Sequence, residues 1–300
     1  MNPAQQASRL CDRVATQHRH KPTSGGVAAA RAEGHEGHES HEGLVRRRYV
    51  ALDLGTARTR SLSSGAFAIA DRPSTVIACS PATGAEVPLW PLRHGMVADP
   101  GACLRLVRLV LQDAQLPGGR PLERVLTGVP VAASPSDRRA VHTAVAEAAG
   151  CAVMPVEEPL AAAVGAGLDI TDPRPCLLLD VGAGIVEVAA IRSGAIGDAA
   201  ALQLSATTSA GLPPYALDSV VEMTAGLLRR LPAHLRPAAR GNGLIVTGGG
   251  ARQAQLLHRL RAALRMPISA APEPQHATLR GLMRLCLQPG LAARLIAHGG

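Results

Sequence analysis

Tyr49-Val-Ala-Leu-Asp53-Leu-Gly55-Thr56-Ala57-Arg58-Thr59 is an apolar strand that delivers an aspartate, a glycine and a threonine into a tight turn. Such a turn suits nucleotide phosphates, because glycine lets backbone N–H groups approach closely and the hydroxyl adds a donor. Two more glycine turns follow, each entered from an apolar strand: Asp180-Val-Gly182-Ala183-Gly184 and Thr247-Gly248-Gly249-Gly250. Any one of them taken alone is an ordinary strand-to-turn glycine. Together, in this order, they predict an α/β chain of two similar halves around a shared nucleotide cleft.

The rest of the composition agrees with a globular protein. With 300 residues at 47% hydrophobic, the chain can bury one large or two modest cores. Six scattered cysteines without a C-x-x-C pair argue against a metal knuckle and for a reducing compartment, hence the cytoplasm. No segment approaches the roughly 20 apolar residues that span a bilayer, and Met1 to His20 carries no apolar signal core, so neither secretion nor a transmembrane anchor is expected. The net charge of +8 comes with Lys21 as the only lysine and 1% aromatic residues. That is an arginine bias without stacking platforms, which argues against nucleic acid as a partner. Attraction to an anionic membrane surface stays open, with Arg46-Arg47-Arg48 either lying on headgroups or forming a solvated entry to the first strand.

Residues 1–47 lack apolar periodicity and read as a disordered tail. Its His35, His38 and His41, each followed by glutamate, are either a weak chelator of divalent metal or part of a polar stretch that is not translated at all. A first lobe is expected over 48–155 and a second over 156–286, with the C-terminal helix free to return to the first lobe and a tail over 287–300. In the first lobe Gly65–Ala70 and Ser74–Cys79 read as neighbouring antiparallel strands. Asp99-Pro100 starts a helix striped by Leu104, Val107, Val110 and Leu111, Val125–Val131 is the next strand, and Ser134-Pro135-Ser136-Asp137 caps another helix. In the second, Glu157-Glu158-Pro159 opens a helix of small residues, and the strand–turn–strand pattern recurs around Gly182. Leu217, Val220, Val221, Thr224 and Leu228 stripe a further helix.

A triphosphate with Mg²⁺ needs close backbone donors, hydroxyls and carboxylates that hold the metal's waters. Asp53 and Asp180, ending equivalent strands, are the candidates to orient metal-bound water. Gly55, Thr56, Ala57, Arg58, Gly182, Ala183 and Gly184 offer the phosphate cradle, with Arg58 either pairing phosphate or facing solvent. Gly248, Gly249 and Gly250 would let an adenosine lie against bare backbone ahead of a helix. Glu158 is the general-base candidate, or else a carboxylate favoured by its helix start.

These residues resemble the actin-like ATPases, and most closely the MreB type, over roughly Val50 to Cys286. Asp53-Leu-Gly-Thr-Ala is similar to the family's first phosphate motif, Arg93-His-Gly-Met-Val-Ala-Asp99 to the segment before its next helix, and Thr247-Gly-Gly-Gly250 to its adenosine motif. Val129-Pro130 with Arg138-Arg139-Ala140-Val141 also matches, and Glu157-Glu-Pro-Leu-Ala-Ala-Ala-Val-Gly-Ala-Gly167 is the most specific piece. The resemblance implies an actin-like (ribonuclease H-like) fold of duplicated lobes, mixed sheets flanked by helices, and a cleft for ATP and Mg²⁺. It also implies filaments, membrane association and guidance of peptidoglycan synthesis, with Glu158 acting on the hydrolytic water.

Departures from the family pattern bear on activity. Ala183 replaces a glycine, and Ile185-Val186 replace two threonines of the second phosphate loop, which predicts slow or absent hydrolysis. Both outer subdomains look trimmed, since only Gly197 to Asn242 separates the second hairpin from the next strand. The expected function is therefore a cell-shape or wall-assembly protein that acts by interaction or co-assembly with itself, with full-length filaments or with wall-synthesis machinery. The alternatives are an active filament-forming ATPase and a small-molecule kinase of the same superfold.

Overall fold

The computed structural model describes residues 48–66, 68–79, 84–114, 121–204 and 211–292. The chain begins with β1 (Tyr49–Leu54), β2 (Arg58–Ser63) and β3 (Ala70–Pro73), then two small hairpins, β4 (Val76–Cys79) with β5 (Glu86–Leu89) and β6 (Leu92–Arg93) with β7 (Met96–Val97). Helix α1 (Pro100–Asp113), β8 (Arg124–Val129), α2 (Pro135–Ala149) and β9 (Ala152–Glu157) complete the first half. Helix α3 (Glu158–Ala166) crosses to β10 (Cys176–Val181), β11 (Ile185–Arg192) and β12 (Ala195–Gln203). Then come α4 (Pro214–Arg230), α5 (Arg236–Asn242), β13 (Leu244–Thr247), α6 (Ala254–Leu264), β14 (Ile268–Ala270), a 3₁₀ turn (Pro274–His276) and α7 (Ala277–Leu287).

The strands form two five-stranded sheets of one topology, ordered β3-β2-β1-β8-β9 and β12-β11-β10-β13-β14. In each, the central strand pairs antiparallel with the hairpin strand that follows it and parallel with the strand on its other side. This is the duplication that the repeated Asp-x-Gly turns predict.

Both central strands are apolar on both faces, as strands covered on two sides must be. Val50, Leu52 and Leu54 face outward onto α1 and α2, and Leu177, Leu179 and Val181 face outward onto α4 and α6. Tyr49 and Ala51 from the first sheet and Leu178 from the second face inward, onto a shared core built by α3 and α7. The molecule is thus layered helix, sheet, helix, sheet, helix. Asp53 and Asp180 follow Ala51 and Leu178 on the inward faces, because side chains alternate along a strand.

Helix α3 reads Glu-Pro-Leu-Ala-Ala-Ala-Val-Gly-Ala, and its lack of bulk is used in full. A Cβ on Gly165 would overlap the backbone of Ala277 on α7, and one on Gly281 would overlap the Ala161 carbonyl. The two helices touch backbone to backbone, and Arg284 Nη1 donates to the Val164 carbonyl across the contact (2.5 Å). Helix α7 packs on β1, β2 and β8.

Caps follow the sequence closely. The Asp99 carboxylate accepts from Ala102 N–H (2.8 Å) at the start of α1, with Pro100 in its first turn. Ser134 and Asp137 form a reciprocal capping box ahead of α2, which ends at Gly150 with φ +63°. On α4 the buried stripe is Leu217, Val220, Thr224 and Leu228, with Val221 half-buried beside it.

Some expectations differ from the structure. The described residues of Gly65–Ala70 do not form the expected strand: Gly65 has φ +83° in the turn after β2, and β3 starts only at Ala70. Ser74–Cys79 does not pair with that segment, since β4 pairs with β5 instead. Strand β2, Arg-Thr-Arg-Ser-Leu-Ser, sets Arg58 and Arg60 on one face and Thr59, Ser61 and Ser63 on the other, and with the equally polar β3, Ala-Asp-Arg-Pro, it escapes an apolar pattern search. Strand β9 runs to Glu157, so the first sheet extends two residues beyond 155. The histidine-rich segment, Arg46 and Arg47 lie outside the described residues.

Candidate functional site

The three glycine turns meet. A cleft of about 220 Å³ between the two sheets is lined by Asp53, Gly55, Thr56, Ala57 and Arg58 from the first turn. Asp180, Gly182, Ala183 and Gly184 line it from the second, Gly248 and Gly249 from the third, and Glu158 also faces it. Of the residues expected here, Gly250 does not line the cleft. Its N–H donates to the Val181 carbonyl (3.0 Å), and a Cβ on it would strike the Val181 side chain, so it serves packing behind the turn. Nor does this turn open directly into a helix, because α6 begins four residues later at Ala254.

The first two turns are built alike. A Cβ on Gly55 would come within 2.6 Å of the Arg58 carbonyl oxygen, and one on Gly182 within 2.7 Å of the Ile185 carbonyl oxygen. Each glycine lies two residues beyond its aspartate and is needed for the same close approach.

The turns also touch each other. A Cβ on Gly184 would overlap the Thr56 hydroxyl, which itself accepts from Gly95 N–H (2.9 Å) in the β6–β7 turn. His94, held at φ +54° in that turn, donates from Nδ1 to the Gly184 carbonyl (2.8 Å). Deeper, Val131 N–H donates to Glu187 Oε1 (2.7 Å), tying the loop after β8 to β11. These contacts join the two halves directly beside the cleft.

The carboxyls that meet here are buried and resist ionisation. Burial pushes Asp53 up to about 6 against the pull of Arg60, whose Nη1 lies 3.6 Å away. Asp180 is raised by burial while the Thr247 hydroxyl, donating to it at 2.7 Å, opposes the shift. Glu158 is held well above the ordinary carboxylate range by burial and then by repulsion from Glu187, Asp53 and Asp180. Glu187, fully buried with Oε2 unpartnered, is pushed up to about 8 by burial and by Asp180.

Arg60 and Glu187 were not among the residues expected at the site. Arg60 lines the cleft beside Gly95, Ile185, Pro274, Gln275 and Thr278. Arg60 pairs in register with Asp53, and Glu187 with Asp180. Directly opposed residues share a sheet face, so a charged residue at that step of each second strand was the available signal. The 3₁₀ turn and the first turn of α7 carried no local signal, since tertiary packing alone brings them here.

The second loop's two aliphatic replacements do different things. Ile185 lines the cleft, whereas Val186 is fully buried in the outer core of the second half. Only the Ile185 position therefore withholds a hydroxyl from the cleft, and the expected effect of Val186 there is corrected by strand alternation.

A directly bound divalent ion suits this donor set poorly. Asp53 is already opposed by a guanidinium, Asp180 by the Thr247 hydroxyl, and among the described residues no group of three or more His, Cys, Asp or Glu is arranged to hold a metal ion. Among the described residues no helix is long and apolar enough to cross a membrane.

Comparison with known proteins gives a consistent picture. A family profile described as MreB/Mbl protein matches residues 47–209. The cell shape-determining protein MreB of Escherichia coli (strain K12) is 30% identical over 164 residues, covering 47% of this chain and 47% of that protein. The chain thus spans about half the length of the curated relatives it matches. Among solved structures it is similar to MreB5 of Spiroplasma citri bound to AMPPNP, with a TM-score of 0.71 and 19% identity over 83% of this chain and 99% of that one. It is also similar to the MamK double helical filament, with a TM-score of 0.65 and 17% identity over 80% of this chain and 98% of that one. Both likenesses are of fold.

Proposed function

The chain belongs to the MreB/Mbl family, and from that premise we propose that it binds an adenine nucleotide between its halves and works in bacterial cell-shape determination or wall assembly by interaction rather than by rapid turnover. The observation that carries this reading is the convergence of the Asp53, Asp180 and Gly249 turns on one cleft. The tight glycine turns, a hydroxyl at Thr56 and guanidinium groups at Arg58 and Arg60 form the kind of surface that receives phosphates. The relative solved with AMPPNP and the relative solved as a filament support nucleotide and self-association as its ligands.

Glu158 is the group best placed to act on an attacking water, being buried and on the cleft wall. Ile185 offers no hydroxyl to hold that water, so hydrolysis is slow or lost and the nucleotide acts chiefly as a clamp between the halves. Its partners in assembly are itself or full-length MreB-type filaments, with the wall-synthesis machinery and an anionic membrane surface beyond them. Isothermal titration with ATP in the presence of Mg²⁺ tests the premise: a saturable heat at one site per chain is expected, and no binding at millimolar nucleotide would leave the cleft vestigial.

A further inference from the structure

Arg60 is the most enclosed cation on the cleft wall, with 15% of its side chain exposed against 44% for Arg58. It is held on both sides. Arg60 is the register partner of Asp53 on β1 and of Asp71 on β3, so the three side chains form one row across adjacent strands on the inward face. Its Nε donates to Asp71 Oδ2 (3.2 Å), while Nη1 stands 3.6 Å from Asp53 Oδ2, an ion-pair separation rather than a hydrogen bond.

Arg58 lies two residues earlier on the same face and donates to the other Asp71 oxygen (2.6 Å). Two guanidinium groups therefore share the Asp71 carboxylate, and Arg60 also faces Asp53. The row presents two guanidinium groups to the cleft beside the turn of Gly55 and Thr56. A fixed, partly desolvated guanidinium binds phosphate oxygens with two parallel N–H groups and needs no partner ion to do so. A divalent ion oriented by Asp53 would instead be placed against that guanidinium.

We propose that Arg60 contacts the polyphosphate of the bound nucleotide and takes the charge-neutralising part that a divalent ion plays, so that the cleft binds nucleotide without a requirement for Mg²⁺. The proposal rests on the nucleotide reading of the cleft.

The test is equilibrium binding of a fluorescent ATP analogue to the full chain, in Mg²⁺ and in EDTA, for the wild type, Arg60→Leu and Arg60→Lys. The wild type should bind in EDTA within about threefold of its affinity in Mg²⁺, and Arg60→Leu should lose about tenfold or more in EDTA, in keeping with a lost charge-assisted pair. Arg60→Lys, which keeps the charge beside Asp53 and Asp71 but not the fork, should fall between them. Thermal unfolding without nucleotide checks that each variant folds, and the lysine variant carries the test if the leucine variant does not. A wild type that binds only with Mg²⁺, or an Arg60 variant that binds as tightly as wild type in EDTA, overturns the proposal and leaves the nucleotide reading intact. A wild type that binds in neither condition overturns both.

Discussion

Arg60 and Glu187 occupy the same step in two copies of one sheet, one opposite Asp53 and the other opposite Asp180, yet they carry opposite charges. The duplication has been differentiated at the charged step opposite each aspartate. The first half meets the cleft with a cation on the wall, and the second holds at the equivalent step a fully buried carboxyl that accepts from Val131 N–H.

Glu187 makes stability depend on pH. Its carboxyl is raised from 4.5 to about 8 in the fold, so the native state holds a proton that the unfolded chain releases. Its contribution is fully present below about pH 4.5 and is lost as pH rises through about 8. Denaturant unfolding should therefore show lower stability at pH 9 than at pH 6, and Glu187→Gln should flatten the slope. A difference on the order of 2 kcal/mol is expected, below the ~1.4 kcal/mol per pKa unit of an isolated group because neighbouring carboxyls share the effect. A wild type equally stable at both pH values would sink the assignment.

Gly184→Ala should separate the two phosphate turns. The new methyl would occupy the place of the Thr56 hydroxyl, so the turns must part or the threonine must rotate away from Gly95. Overpacking of this kind costs about 1–3 kcal/mol. Nucleotide affinity should fall with it, and Thr56→Ser in the same background, which removes a methyl at the contact, should restore part of both. Unchanged melting and unchanged binding would mean the turns do not press together.

Gly281→Ala tests the helix contact at the centre of the molecule. There is no side chain to yield, because the added methyl meets the backbone of Ala161 itself. We expect a loss of more than ~3 kcal/mol or failure to fold, at the upper end for a single core substitution. Soluble, wild-type-like melting of this variant would contradict the backbone-to-backbone packing of α3 and α7.

Hydrolysis should be insensitive to its own general base. With Ile185 in place of a hydroxyl at the cleft, phosphate release by the wild type should exceed that of Glu158→Ala by no more than about twofold, where a working base contributes roughly 10²–10⁴-fold. A large gap between the two proteins would restore the active-ATPase alternative.

Much of this arrangement is legible in the chain because its strongest signals are local. The Asp-x-Gly turns, the Asp99 and Ser134 caps and the all-small α3 each state their geometry within a few residues. Strands β2 and β3 were harder to see, since their inward face carries Arg58, Arg60 and Asp71 rather than apolar side chains. The same fact hid the cation. Gln275 and Thr278 join the cleft only because α7 returns to β1, a relation of residues more than 200 apart for which no short window holds a sign.

That return has a further outcome for how the molecule comes into being. The inward face of the first sheet, led by Tyr49 and Ala51, is sealed by a helix that ends at Leu287, long after the matched family segment stops at residue 209. On the ribosome the first sheet must wait, half-bare, until α7 has emerged. A product cut short anywhere before α7 would expose that surface, leaving it a target for chaperones and proteases instead of a smaller working unit.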